Sequence, residues 1–127
     1  MTSVVTEYLD VTDFIPAPCQ GAIGVECRAQ DSTTIEHLAT IDNPTVRLCI
    51  DAERSFIATL DMGCHAPIGV LALPVEDGVS FHAFVEYAPG KYIDKKIVCS
   101  RDGLKEATHD LAIEYLETIN EKLSKRE

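Results

Sequence analysis

The segment Asp61-Met62-Gly63-Cys64-His65-Ala66-Pro67-Ile68-Gly69-Val70 sets one thiol between an expected helix end and an expected strand. Gly63 suits the left-handed cap that closes a helix, so Cys64 starts just outside it. Ala66-Pro67 then stiffens the exit, because proline fixes its own φ and restricts its predecessor. An ordinary cysteine is a small, buried, apolar residue, but a bend of this kind is a poor place to hide one. Location also limits the chemistry. A helix N-terminus would favour a thiolate, whereas the dipole at a C-terminus opposes it, and only a protonated His65 beside it would compensate. This argues against a redox sensor or a cycling, protease-like nucleophile. A thiol that reacts once and remains capped fits the position better.

Other reactive types lack the spacing that their chemistry needs. Cys19, Cys27, Cys49, Cys64 and Cys99 are an odd number without tight spacing, which excludes an evident disulfide framework and points to reduced thiols. Neither Cys-x2-Cys nor His-x3-His occurs, so no zinc site is expected, and His37, His82 and His109 read as surface or sheet-face residues. Gly21-Ala22-Ile23-Gly24 is too short for a dinucleotide fingerprint and reads as a tight loop leading into a close-packed strand. Glu53 lies near the apolar stripe of its helix, where a buried carboxylate would require a partner.

These residues must be positioned by a chain of 127 residues, long enough for one compact domain. Apolar residues make up 46% and charged residues 25%, a globular balance. The net charge of -10 argues against nucleic acid and against strongly anionic small molecules binding to this chain alone. No apolar stretch reaches the ~18 residues of a membrane span. The N-terminus has no basic region followed by an apolar one, so a soluble, cytoplasmic protein is expected.

Periodicity sets the elements. The first dozen residues form a short strand or an entry segment, Phe14 to Gly21 is a proline-punctuated loop, and Ala22 to Cys27 reads as a strand. Thr33 and Glu36 stand in capping-box relation for a helix to about Thr40. Asn43 and Pro44 open a second helix carrying Val46, Cys49, Ile50, Glu53, Ile57 and Leu60 at helical spacing. Strands follow at Ile68 to Val75, with Pro74 marking an edge or a bulge, at Val79 to Tyr87 after the Asp77-Gly78 hairpin signal, and at Tyr92 to Ser100. Asp102 caps a last helix with the stripe Leu104, Ala107, Leu111, Tyr115, Ile119 and Leu123. The expected fold is α+β: a three-stranded antiparallel sheet with about three helices on one face, plus an N-terminal loop or strand segment.

Three stretches together resemble one family. Pro16-Ala17-Pro18-Cys19-Gln20-Gly21-Ala22-Ile23-Gly24-Val25-Glu26-Cys27-Arg28, Ala52-Glu53-Arg54 and Gly63-Cys64-His65-Ala66-Pro67-Ile68-Gly69 are similar to the C-terminal part of the porphobilinogen deaminases, also called hydroxymethylbilane synthases. The resemblance implies a transferase of tetrapyrrole, porphyrin and heme biosynthesis that joins four porphobilinogen units head to tail and releases ammonia at each step. It implies a dipyrromethane cofactor held by a thioether at Cys64, with Gln20 and Gly21 as further candidate contacts. A single electrophilic capture by sulfur is chemistry that the bend at Cys64 suits.

The same resemblance implies two parts: residues 1–30 as a returning strand and loop of the family's first domain, and 31–127 as its third, cofactor-tethering domain. The catalytic aspartate and the arginines that bind the substrate's acid side chains belong to the other domains, so no catalytic residue is assigned in this chain, and alone it is expected to be inactive. A complementary chain with the missing domains is the implied partner, with pairing to a second copy through the N-terminal segment as the other expectation. Two positions depart from the family pattern. Cys19 stands where glycine is usual, a strain if that position needs positive φ, and Met62 stands for the first of two glycines before the cysteine. The alternative from another class is a standalone α+β binding or regulatory module without catalysis, and a weaker one is a thiol sensor.

Overall fold

The structure, a computed structural model, describes residues 4–61 and 66–125. Its elements in order are α1 (Ser32–Ala39), α2 (Pro44–Leu60), β1 (Ile68–Val75), β2 (Gly78–Ala88), β3 (Lys91–Cys99) and α3 (Leu104–Ser124). The strands form one antiparallel meander, β1-β2-β3. Val75 faces Gly78 across a two-residue turn, Ile68 faces Val85, and β3 continues from Lys91 opposite Ala88 to Cys99 opposite Val79. Gly78 is required by close approach, since a Cβ there would lie 2.1 Å from the Cys99 carbonyl oxygen.

The alternation expected of β2 holds: Val79, Phe81, Ala83 and Val85 are fully buried on one face, joined by Val70 and Ala72 from β1 and Ile93 from β3. Cys49, Ala52, Phe56 and Leu60 of α2 and Leu104, Leu111, Ala112, Tyr115 and Ile119 of α3 cover that face. Phe56 is the joint, with its ring centroid 5.3 Å from Phe81 and 5.4 Å from Tyr115, the latter in edge-on contact. The Tyr115 hydroxyl donates to the Ala83 carbonyl at 2.6 Å, so its burial leaves no polar atom unpaired. Burial also pushes the phenol far above its ordinary pKa, keeping it a neutral donor.

The α+β class with three strands and three helices is as expected, but α1 buries none of its residues. Only α2 and α3 build the core. Local caps also differ from expectation. Asp31, rather than Thr33, caps α1 by accepting from the Thr34 amide at 3.0 Å, because an aspartate one residue before the helix outcompetes a box begun inside it. Asn43 caps α2 as expected, accepting from Thr45 and Val46 at 3.1 Å. The left-handed cap of α2 is Asp61 at φ 46°, two residues before Gly63. Asp102 does not cap α3; the Ser100 hydroxyl accepts from the Gly103 amide at 3.1 Å.

Upstream of α1 the expected strand over 22–27 is absent. Ile23 is 92% exposed and Val25 60%, and no strand of the sheet lies beside them. A strand needs a neighbour to satisfy its backbone, and none is offered here. Residues 4–12 are likewise an exposed entry segment, with a turn at 11–13.

Candidate functional site

The outer edge of β1 organises the site. In an antiparallel strand alternate residues turn their backbone groups to the same side, so Val70, Ala72 and position 74 share the unpaired edge. The Val70 amide donates to the Pro16 carbonyl at 3.0 Å, the Ala72 amide donates to Glu53 Oε1 at 2.8 Å, and Pro74 has no amide to satisfy. The edge donors at positions 70, 72 and 74 are therefore accounted for, which protects that stretch from pairing with another chain. The edge role expected of Pro74 is borne out.

The residues bonded to this edge belong to the proline-punctuated loop. Ile15 lies over Gly69, where an added Cβ would meet the Ile15 carbonyl oxygen at 3.0 Å. Cys19 has φ 60° and Gly21 φ 83°, so the loop passes twice through the left-handed region. Open space surrounds Gly21, and it is the torsion rather than room that favours glycine. Gln20 folds back on its own loop, its side-chain Oε1 accepting from the Ala17 amide at 3.1 Å while its backbone N–H donates to the Ala17 carbonyl.

Glu53 joins this loop to the domain. It is 4% exposed on α2, and its second oxygen accepts from the Cys19 amide at 2.6 Å. The carboxylate thus ties α2, β1 and the Cys19 loop at one point, and this is the partner that its place in the apolar stripe demanded. Burial raises its pKa against the opposing effect of the two amides. A crevice of about 250 Å³ lies beside it, walled by Ala17, Gln20, Cys49, Ile50 and Leu73.

Cys19, Cys27, Cys49 and Cys99 are free thiols. Burial pushes Cys19, Cys49 and Cys99 above the ordinary thiol pKa, with the Glu53 charge adding to the effect at Cys19 and Cys49. None of these three is an activated nucleophile. Cys64 lies outside the described residues, as do Met62, Gly63 and His65. The connection that carries it is fixed at both stems: the Asp61 amide donates to the Ile57 carbonyl at 3.1 Å, and the Pro67 carbonyl accepts from the Glu86 amide at 3.0 Å. No group of three or more potential metal ligands occurs among the described residues. Their helices also include none long and apolar enough to cross a membrane. His82 sits on the open sheet face, 2.6 Å from Asp94 Oδ1, while His37 and His109 are exposed.

Comparison with known proteins decides the family. A family profile described as the C-terminal domain of porphobilinogen deaminase matches residues 47–123, more than half of the chain. The chain belongs to the porphobilinogen deaminase family. A second profile, the dipyrromethane cofactor binding domain of porphobilinogen deaminase, matches residues 1–36. Gln20 and Gly21 fall within this second match and Cys64 within the first.

Among curated relatives, porphobilinogen deaminase of Nocardia farcinica is 48% identical over 75 residues, covering 59% of this chain and 22% of the relative. That of Mycobacterium leprae is 50% identical over 72 residues, covering 57% and 23%. Porphobilinogen deaminase 1 of Streptomyces coelicolor is 47% identical over 74 residues, covering 58% and 23%. The chain thus spans under a quarter of the length of these porphobilinogen deaminases.

The donor chemistry of the chain fits a covalently held cofactor of this family. A thioether needs one thiol and no metal ligands, and the thiols of Cys19, Cys49 and Cys99 are disfavoured by their raised pKa values. The signal for Glu53 was present in the sequence as an acid in an apolar stripe. Its two amide partners were not, because they come from backbone groups 34 residues upstream and 19 residues downstream.

Proposed function

We propose that this chain is the cofactor-tethering part of a hydroxymethylbilane synthase, which condenses four porphobilinogen units into hydroxymethylbilane with release of ammonia in tetrapyrrole and heme biosynthesis. The match of residues 47–123 to the family's C-terminal domain carries this reading, because it includes Cys64 within Gly63-Cys64-His65-Ala66-Pro67. Cys64 is the covalent anchor, its sulfur forming a thioether to the dipyrromethane. When bound, that group supplies the free pyrrole end on which chain growth takes place. The contribution of this chain is positional: a stem at Asp61 and a stem at Pro67 limit how far a tethered group swings. Gln20 and Gly21 are further candidate contacts to it, supported by their place in the cofactor-binding match.

No catalytic residue is assigned in this chain, and alone it is inactive. Its division into a first-domain remnant (1–30) and a tethering domain (31–127) follows the same reading. A cytoplasmic location suits the proposed biosynthetic role. The functional partner is a chain carrying the remaining domains. The exposed Ile23 and Val25 favour such a partner, since an extended apolar segment with free backbone groups is a template for strand pairing.

Intact mass of the purified chain tests the anchor, before and after incubation with porphobilinogen and the complementary domains, with Cys64→Ser as control. The expected result is an adduct of dipyrromethane mass that the substitution abolishes. An unmodified mass with the complementary domains present, or an adduct that survives Cys64→Ser, overturns it.

A further inference from the structure

The two edges of the sheet differ. Pro16, Glu53 and Pro74 close the β1 edge, whereas no described segment pairs with the outer side of β3. Antiparallel pairing turns alternate residues of a strand toward opposite neighbours. Because Val70 and Ala72 face outward on β1, Leu71 and Leu73 bond to His82 and Ser80 of β2, and Phe81 and Ala83 then bond to β3 at Ile97 and Lys95. Tyr92, Asp94, Lys96 and Val98 are left with their amides and carbonyls on the free edge, and none of these groups has a hydrogen-bond partner among the described residues. Their exposed side chains stand on the open sheet face, opposite the buried Ile93.

We infer that the β3 edge joins two copies of this chain, β3 pairing antiparallel with β3 of the second copy about a two-fold axis through Lys95. An unpaired edge is a template for association, and lysines on it ordinarily discourage a partner strand. Here the charges match themselves. With the axis at Lys95, Asp94 of each copy stands opposite Lys96 of the other, and Tyr92 stands opposite Val98, an aromatic with a β-branched residue. Asp94 spends Oδ1 on His82 Nε2 at 2.6 Å and keeps Oδ2 for this contact, while Lys96 has no ion pair among the described residues. The facing residues all carry outward backbone groups, so about eight ladder bonds form across the junction.

The same pattern excludes the neighbouring registers. A slip of one residue sets outward backbone groups against inward ones. A slip of two in one direction puts Lys96 opposite its own copy, and in the other direction Asp94 opposite its own. On the helix-covered face Lys95 meets its copy at the axis, and each ammonium is already paired with Glu114 of α3. The two-fold lies perpendicular to the sheet, so the two open faces become one continuous surface.

Sedimentation velocity of the reduced full chain over about 1–500 μM tests this, a range that spans the Kd of a small interface. The 13.9 kDa chain should pass from monomer to dimer. Asp94→Lys and Lys96→Asp each set like charges opposite one another twice, and each should weaken self-association at least about tenfold. Mixed in equal amounts, the two variants should associate with an affinity near that of the wild type, because lysines of one chain then face aspartates of the other. Val98→Pro removes an outward amide and leaves the ladder to β2 intact, so it should weaken the dimer without loss of the fold by circular dichroism. A monomer at every concentration would overturn the inference. A dimer indifferent to Asp94→Lys, Lys96→Asp and Val98→Pro would do so as well, moving the contact to another surface such as the exposed Ile23 and Val25. Weakened variants that do not associate on mixing would refute the axis at Lys95. None of these readouts depends on a bound pigment, so they stand apart from the test of the proposed function.

Discussion

Cys19 and Glu53 show how one residue's strain and another's burial are resolved in a single hydrogen bond. At φ 60° Cys19 occupies a conformation that costs an L-residue about 1–2 kcal/mol, and its amide is held there by a buried carboxylate. Glycine would adopt the same torsion without the Cβ penalty, at an entropic cost of roughly 0.5–1 kcal/mol in the unfolded chain. The weak contact of Cys19 Sγ with the Ile50 carbonyl, at 4.0 Å, contributes little to the balance. Cys19→Gly is therefore expected to stabilise the chain by about 0.5 kcal/mol, and Cys19→Val, with a branched Cβ in the same torsion, to destabilise it by at least ~1 kcal/mol. Chemical denaturation with an unchanged m-value is the check, and equal stability of all three chains would mean that the torsion at this position is not enforced. The sequence carried half of this: a cysteine in a place that favours glycine was legible as a possible strain. The bond that makes the strain persist spans 34 residues and was not.

At the scale of elements, the joint between α2, α3 and β2 rests on Phe56, Phe81 and Tyr115, all with no exposed area. The Tyr115 hydroxyl is the one polar atom in that cluster, and its bond to the Ala83 carbonyl fixes α3 against the central strand. Tyr115→Phe keeps the packing of the ring and removes the donor, so a loss of about 1–2 kcal/mol is expected, with the fold intact by circular dichroism. A change near zero would show that the hydroxyl only avoids a penalty and adds no stability. These elements were read well from sequence because their period and caps are local: Asn43-Pro44 opens α2, and Val79 to Tyr87 alternates in β2. Where the reading failed, it failed for want of a partner. Ala22 to Cys27 has the composition of a strand, but strand identity belongs to a pair, and no strand of the sheet pairs with it. α1 has the period of a core helix, yet Ile35, Leu38 and Ala39 line an open groove of about 550 Å³ beside that same segment.

For the whole molecule, the question is how much of the chain folds on its own account. Among the described residues, the sheet, α2 and α3 contain every buried apolar residue of the core, and all lie downstream of Asp31. A chain beginning at Asp31 should therefore retain one cooperative thermal transition. It should also be weaker than the full chain, because Val70 loses the Pro16 carbonyl and Glu53 loses the Cys19 amide. Both groups gain access to water when the loop is removed, so each lost bond costs only its net contribution, and a total near ~2 kcal/mol is expected. A chain beginning at Phe14 keeps these contacts and sheds a segment whose described residues, among them Val4, Tyr8 and Leu9, are exposed, so its stability should match that of the full chain. Denaturant midpoints of the three chains order the outcomes. Equal stability of the Asp31 chain would mean that the Pro16–Gly21 loop rests on the domain without holding it, whereas a broad, non-cooperative transition would mean that the loop is a structural part of the core. The ordering bears on assembly as well. If the loop is held by about 2 kcal/mol, a partner that pairs with Ala22 to Cys27 meets a segment already anchored at its N-terminal side by Cys19, and need supply less of the entropy of ordering it.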